Sequence, residues 1–396
     1  MELLGRRYDS GEHVRIVVDR GPKTENRKPR IVQLDPEPNP ASADSGLWIA
    51  PGLIDLQING YGGQEFSSLE LTVEKCHAIL AAINPFGVTR FLPTVTTERF
   101  DVLRHALQTL ARWRSESAEI AYRIPGFHLE GPYIASEDGP RGAHPKACCR
   151  PPDWEEFQRL QEAAGGAIRL VTLSPEYDSA PVFIARAVQT GVLVAIGHLA
   201  ATAEQIGRAV DAGARLSTHL GNGSHAMLHR LRNYLWTQLA EDRLMASLIA
   251  DGHHLPPEVV QVMVRAKQPR RCVLVSDMSG QAGQPPGRYS SPFCDVEILP
   301  DGKLVVAGQR ELLAGATAPL LENVANVMHF AGVDLSMAID MASRQPAELL
   351  GLESGLLEPD RPADLIVFRR TPSKPPRLET VQTIVGGRTV WQKTDT

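Results

Sequence analysis

The sequence predicts an α/β fold: a (β/α)8 TIM barrel with a small β-sandwich domain built from both termini. Three observations lead there. The middle of the chain alternates short β-rich runs with helical stretches, as parallel βα units do. The β-rich runs number eight, which suits a closed barrel, and no G-x-G-x-x-G follows the first of them to suggest an open dinucleotide-binding sheet. The two ends lack this rhythm and carry only short β segments.

The candidate strands cover residues 53–59, 89–94, 123–130, 169–174, 192–198, 215–219, 245–251 and 273–277. Between them, residues 71–86, 99–115, 152–164, 181–190, 203–212 and 256–267 repeat apolar side chains at helical spacing. The barrel is expected over residues 51–354. Near the N-terminus, 14–18 and 31–34 read as strands divided by a Pro/Lys/Asn-rich turn. Near the C-terminus, 364–368 and a hairpin of 383–385 with 388–391 about Gly386–Gly387 read likewise. Neither end can bury a core by itself, so residues 1–50 and 355–396 are expected to share one small domain.

Composition narrows the function. Hydrophobic residues at 43% and charged ones at 22% fit a water-soluble globular chain, and 396 residues accommodate a barrel of about 250 plus a smaller unit. With a net charge of −5 and no long basic block, nucleic acid is not an expected partner. No run approaches the roughly 18 apolar residues that span a bilayer, and the start MELLGRRYDSGEHV lacks a signal peptide's apolar centre. A cytoplasmic protein with no membrane partner is therefore expected. The five cysteines are scattered without C-x-x-C spacing, so reduced thiols are expected and any metal must rely on histidine and carboxylate.

Active sites of such barrels lie at the carboxyl ends of the strands. Here those ends supply Gln57 and Asn59, Glu130, Glu176, His198, His219, Asp251 with His254, and Asp277. Taken singly, Glu130 reads more readily as a rim ion pair and each histidine as a satisfied polar neighbour, while for Asp277 the catalytic reading outweighs a turn cap. Taken together, two imidazoles and one carboxylate from three strands make the ligand set of a catalytic metal site with a fourth position for water. Asp277, ending the strongly β-forming RCVLVSD, is placed to move that water's proton.

Read in order, the chain carries APGLIDLQINGYGG at 50–63, HLEGPY at 128–133, GAH at 142–144, GH at 197–198 and THLGN at 218–222. DGHHL at 251–255, LVSD at 274–277, LAGAT at 313–317 and PADLIVF at 362–368 follow. In this combination the sequence resembles the N-acetylglucosamine-6-phosphate deacetylases of the amidohydrolase superfamily over nearly its whole length. Many superfamily members hold a second metal with H-x-H on the first strand; here Gln57-x-Asn59 stands in its place, and amides are poor ligands for transition metals. The resemblance implies one divalent metal ion per chain on Glu130, His198 and His219, with Asp277 as acid/base. Zinc leads the candidates, while iron, cobalt and manganese suit the same donors.

The resemblance further implies that His144 polarises the acetyl carbonyl, and that Ala143, Asn222, Gly223, Arg230 and His254 contact the sugar or its phosphate. It implies a homodimer with phosphate contacts crossing the interface. One stretch departs from the family pattern: GNGSHAMLHRLRN at 221–233 puts Gly223 where the family has alanine. The expected reaction is removal of the N-acetyl group from a small-molecule amino sugar. Two alternatives remain open at this point: another amide, such as a cyclic ureide or an N-acyl amino acid, or a catalytically silent barrel used as a binding subunit.

Overall fold

The computed structural model describes residues 1–19, 29–37, 46–291, 294–371 and 373–394. The turn expected between the first two terminal strands lies largely outside them. Eight parallel strands follow one another around the barrel: Leu53–Ile58, Val88–Thr96, Phe127–Glu130, Ile168–Leu173, Leu193–Ile196, Leu216–Ser217, Met245–Leu248 and Cys272–Leu274. Each matches an expected strand. Alternation along them sends Ile54, Leu56, Leu92, Leu170, Ala195, Leu216, Val273 and Val275 into one buried inner cluster. Their neighbours Leu53, Phe91, Val171 and Val194 face outward onto the surrounding helices.

Helix Arg344–Leu350 adds Ala347 and Leu350 to the inner cluster, and Arg169, at the start of the fourth strand, donates to the carbonyl of Leu350 at 3.1 Å. That plugs the amino end. At the carboxyl end the ring closes between the first and last strands, through a parallel bridge of Ile58 with Met278 and a 3.0 Å bond from Asp277 N to the carbonyl of Gln57. This seam decides what sits beside Asp277.

Several expected strands prove shorter. Residues 123–126 are not strand, because Arg123 ends helix Ala118–Arg123 and Pro125 cannot donate to a ladder. The strands expected to run to His198, His219 and Asp277 stop before them, since these residues turn out of the β conformation. The expected helices are present as Val73–Ile83, Phe100–Ser115, Trp154–Ala163, Ala180–Gln189, Ala203–Asp211 and Pro257–Lys267. Thr202 and Gln205 close a capping box on the fifth of them.

Strands from both termini join one seven-stranded sheet, ordered Arg388–Gln392, Arg377–Val385, Leu365–Thr371, Leu47–Pro51, Glu2–Arg7, His13–Val18 and Ile31–Pro36. A four-stranded antiparallel sheet, Gly287–Ser290, Asp295–Ile298, Leu304–Val306 and Gln309–Leu313, follows the last barrel strand and was not expected. Its signal was present in VEILPDGKLVV, where Asp301–Gly302 separates two alternating runs.

Candidate active site

Among the described residues, five non-glycine residues have positive φ, and three are His198 at 50°, His219 at 26° and Asp277 at 53°. A left-handed backbone costs a side-chain-bearing residue about 1–3 kcal/mol and persists where surrounding structure over-determines it. Each of the three follows closely on a barrel strand, and each side chain enters the same cavity. The cavity, about 250 Å³, opens at the carboxyl end of the barrel.

Its floor is Glu130, the last residue of the third strand. His198 Nε2 donates to Glu130 Oε1 at 3.2 Å and His219 Nε2 donates to the same oxygen at 2.8 Å. Burial opposes the charged carboxylate, yet these two hydrogen bonds hold Glu130 well below the usual carboxyl range. Burial likewise opposes the protonated form of His219, but its bond to Glu130 raises it overall. His198 Nδ1 is turned to the carbonyl of Pro140 at 2.9 Å, while His219 Nδ1 is buried with no partner.

His144 stands against His198, with ring centroids 4.4 Å apart. Ligand atoms of Glu130, His144 and His198 lie within 4.8 Å of one another, so His144 is a further possible ligand beside His198 and His219. Burial, reinforced by His198, pushes His144 down to about 3, leaving a neutral ring. His128, by contrast, is a packing residue below the floor, spent on Thr172 Oγ1 at 2.8 Å and Thr94 Oγ1 at 3.3 Å.

Asp277 is buried across the cavity, and burial, then the charge of Glu130, raises it above the ordinary aspartate range. Its Oδ1 accepts from Gln57 Nε2 at 2.9 Å and Asn59 Nδ2 at 2.8 Å. That contact was not legible in the sequence, which marks two amides but not the atoms they face.

Of the other expected contacts, Ala143, Asn222, Gly223 and His254 line the cavity. Gly223 has φ of 57°, and a Cβ there would lie 2.5 Å from His198 Nδ1, so the departure from alanine has a steric reason. Asp251 does not line the cavity but orients His254, accepting from its Nδ1 at 2.8 Å. Glu176 is elsewhere, accepting from Ser174 Oγ and Ala200 N, each at 2.6 Å. Arg230 is exposed and does not line the cavity, because the irregular loop before helix Tyr234–Ala240 carries it outward. Sequence reasoning missed Glu65 and the wall of Ser291, Cys294, Val296 and residues 311–315.

The Amidohydrolase family model matches residues 48–390. An N-acetylglucosamine-6-phosphate deacetylase of Bos taurus is 33% identical over 358 residues, covering 88% of this chain and 84% of its own. An N-acetylgalactosamine-6-phosphate deacetylase of Escherichia coli O157:H7 is 31% identical, covering 85% of this chain and 88% of its own. Among solved structures, a variant N-acetyl-D-glucosamine-6-phosphate deacetylase from Mycobacterium smegmatis, in complex with N-acetyl-D-glucosamine-6-phosphate, superposes with a TM-score of 0.84. It is 27% identical and covers 98% of this chain and 99% of its own.

Proposed function

The chain belongs to the amidohydrolase family, among the N-acetylglucosamine-6-phosphate deacetylases, and from that premise we propose how this carbon–nitrogen bond hydrolase works and which residues carry the work. It removes the N-acetyl group from N-acetylglucosamine 6-phosphate or a closely related amino sugar, giving acetate and the free amine. The observation that carries the reading is the convergence of Glu130, His198, His219 and Asp277 on one cavity from separate strands.

Two imidazoles on one carboxylate oxygen, with His219 Nδ1 unpaired, suit a divalent ion, and we assign it to Glu130, His198 and His219. Bound there, the metal supplies Lewis acidity and brings the pKa of a water ligand towards about 7. His144 is assigned to the substrate instead, because it rides on a loop rather than a strand end. Its neutral ring donates an N–H to the acetyl oxygen as negative charge develops there. Asp277 takes the attacking water's proton on Oδ2 and returns it to the leaving nitrogen.

Asn222, the backbone N–H of Gly223 and His254 face the remainder of the sugar and its phosphate. Arg230, exposed outside this cavity, is assigned to the phosphate bound by a second copy of the chain. Exposed Met227, Leu231 and Trp236 around it support such a homodimer. Zinc is the proposed metal and the cytoplasm the proposed location.

The test is metal content and turnover of three variants. His219→Ala is expected to lose the metal; His144→Ala and Asp277→Asn are expected to keep about one per chain while turnover falls about 10²–10⁴-fold. Retention in His219→Ala with loss in His144→Ala would exchange the two assignments, and near-normal turnover of Asp277→Asn would place the base elsewhere.

A further inference from the structure

Gln57 and Asn59 stand two residues apart at the end of the first strand and aim their NH2 groups at one atom. The distances to Asp277 Oδ1 are 2.9 Å and 2.8 Å. The acceptor fixes the orientation of both amides, because an ionised carboxylate can only accept and a turned amide would oppose oxygen to oxygen. All three residues belong to the barrel's seam. Asp277 N donates to the carbonyl of Gln57 at 3.0 Å, and Asn59 N donates to that of Met278 at 2.8 Å. Beneath them Asp55 Oδ1 accepts from Gln57 N at 3.1 Å and Ser276 N at 3.2 Å, tying both strands at one level. The donors and their acceptor therefore move as one rigid unit.

Two hydrogen bonds to one carboxylate oxygen have two consequences. They stop the carboxylate plane from rotating about Cβ–Cγ, and they stabilise negative charge on Oδ1, which makes Oδ2 the more basic oxygen. Oδ2 accepts no hydrogen bond from the described residues.

We propose that Gln57 and Asn59 are positioning residues for hydrolysis: by saturating Asp277 Oδ1 they hold Oδ2 towards the cavity as the single atom that takes and returns the proton. The assignment rests on the deacetylase reading for the role of Asp277. It differs from a structural role, in which the amides merely satisfy a buried charge. A structural role predicts lost stability with kcat intact. Positioning predicts lost kcat, since proton transfer depends on a near-attack geometry that substrate binding does not need.

The experiment compares metal-loaded wild type with Gln57→Met, Asn59→Ala, the double variant and Asp277→Asn, measuring metal content, KM and kcat. Each single variant is expected to keep about one metal per chain and a KM within about threefold of wild type. Its kcat is expected to fall roughly 10- to 100-fold, the range for deleting a hydrogen bond to a charged group, and further in the double variant. Wild-type kcat in the variants, loss confined to KM, or loss that merely tracks missing metal would overturn the proposal. Should the double variant not fold, the single variants are judged by the same split. An inactive Asp277→Asn beside unaffected amide variants refutes the positioning alone, whereas an active Asp277→Asn refutes the role of Asp277 itself.

Discussion

His198, His219 and Asp277 were marked in the sequence by residue type and by position after a β run, and the proposed chemistry needs those types. Their left-handed backbones were not legible, because local propensity disfavours that conformation and only the packed barrel imposes it. Asp55 was passed over for the same reason: nothing in its neighbours announces a carboxyl with no exposure. Burial raises it from 3.8 to about 7. The folded state therefore binds a proton that the unfolded chain releases, so this contribution to stability is complete below the unfolded pKa and is lost as pH rises through about 7. Asp55→Asn, neutral throughout, is expected to flatten the dependence of Tm on pH between those limits. Parallel Tm profiles for variant and wild type would contradict it.

Elements were legible where one period dominated. All eight barrel strands and six of their helices announced themselves, while the four-stranded sheet was missed: apart from the hairpin signal at Asp301–Gly302, its strands of three to five residues are too short for a periodicity to accumulate. Its last strand borders the cavity, so part of the cavity wall was hidden from the sequence. The loop at 221–233 shows the opposite failure, since its residues were recognised and their destination was not. If Arg230 meets the phosphate from a second copy, Arg230→Ala should weaken kcat/KM for the phosphorylated sugar about 10- to 100-fold and leave the unphosphorylated sugar nearly unchanged. Equal losses on both substrates would assign the loop to another ligand.

At the scale of the molecule, a buried carboxylate helps pin the terminal sheet to the barrel. Asp364 Oδ2 accepts from Arg90 Nε at 3.1 Å, Tyr122 Oη at 2.7 Å and Ser354 Oγ at 2.9 Å, and its Oδ1 accepts from Gly386 N at 2.9 Å. Arg90 belongs to the second barrel strand, so removing the carboxylate strands a buried guanidinium. Asp364→Ala is expected to destabilise by about 3–5 kcal/mol, read as a shift in the denaturation midpoint, while a change below about 1 kcal/mol would contradict that role. The sequence suggested that both ends meet, since neither could bury a core alone, but not which side chain joins them to the barrel. What this architecture is for is tested most directly by acetate release from N-acetylglucosamine 6-phosphate, with N-acetylgalactosamine 6-phosphate and the unphosphorylated sugars alongside. The account predicts equimolar acetate and free amine from a phosphorylated amino sugar, lost on chelation and restored by about one equivalent of metal. Metal-loaded protein that releases acetate from none of these sugars would contradict it.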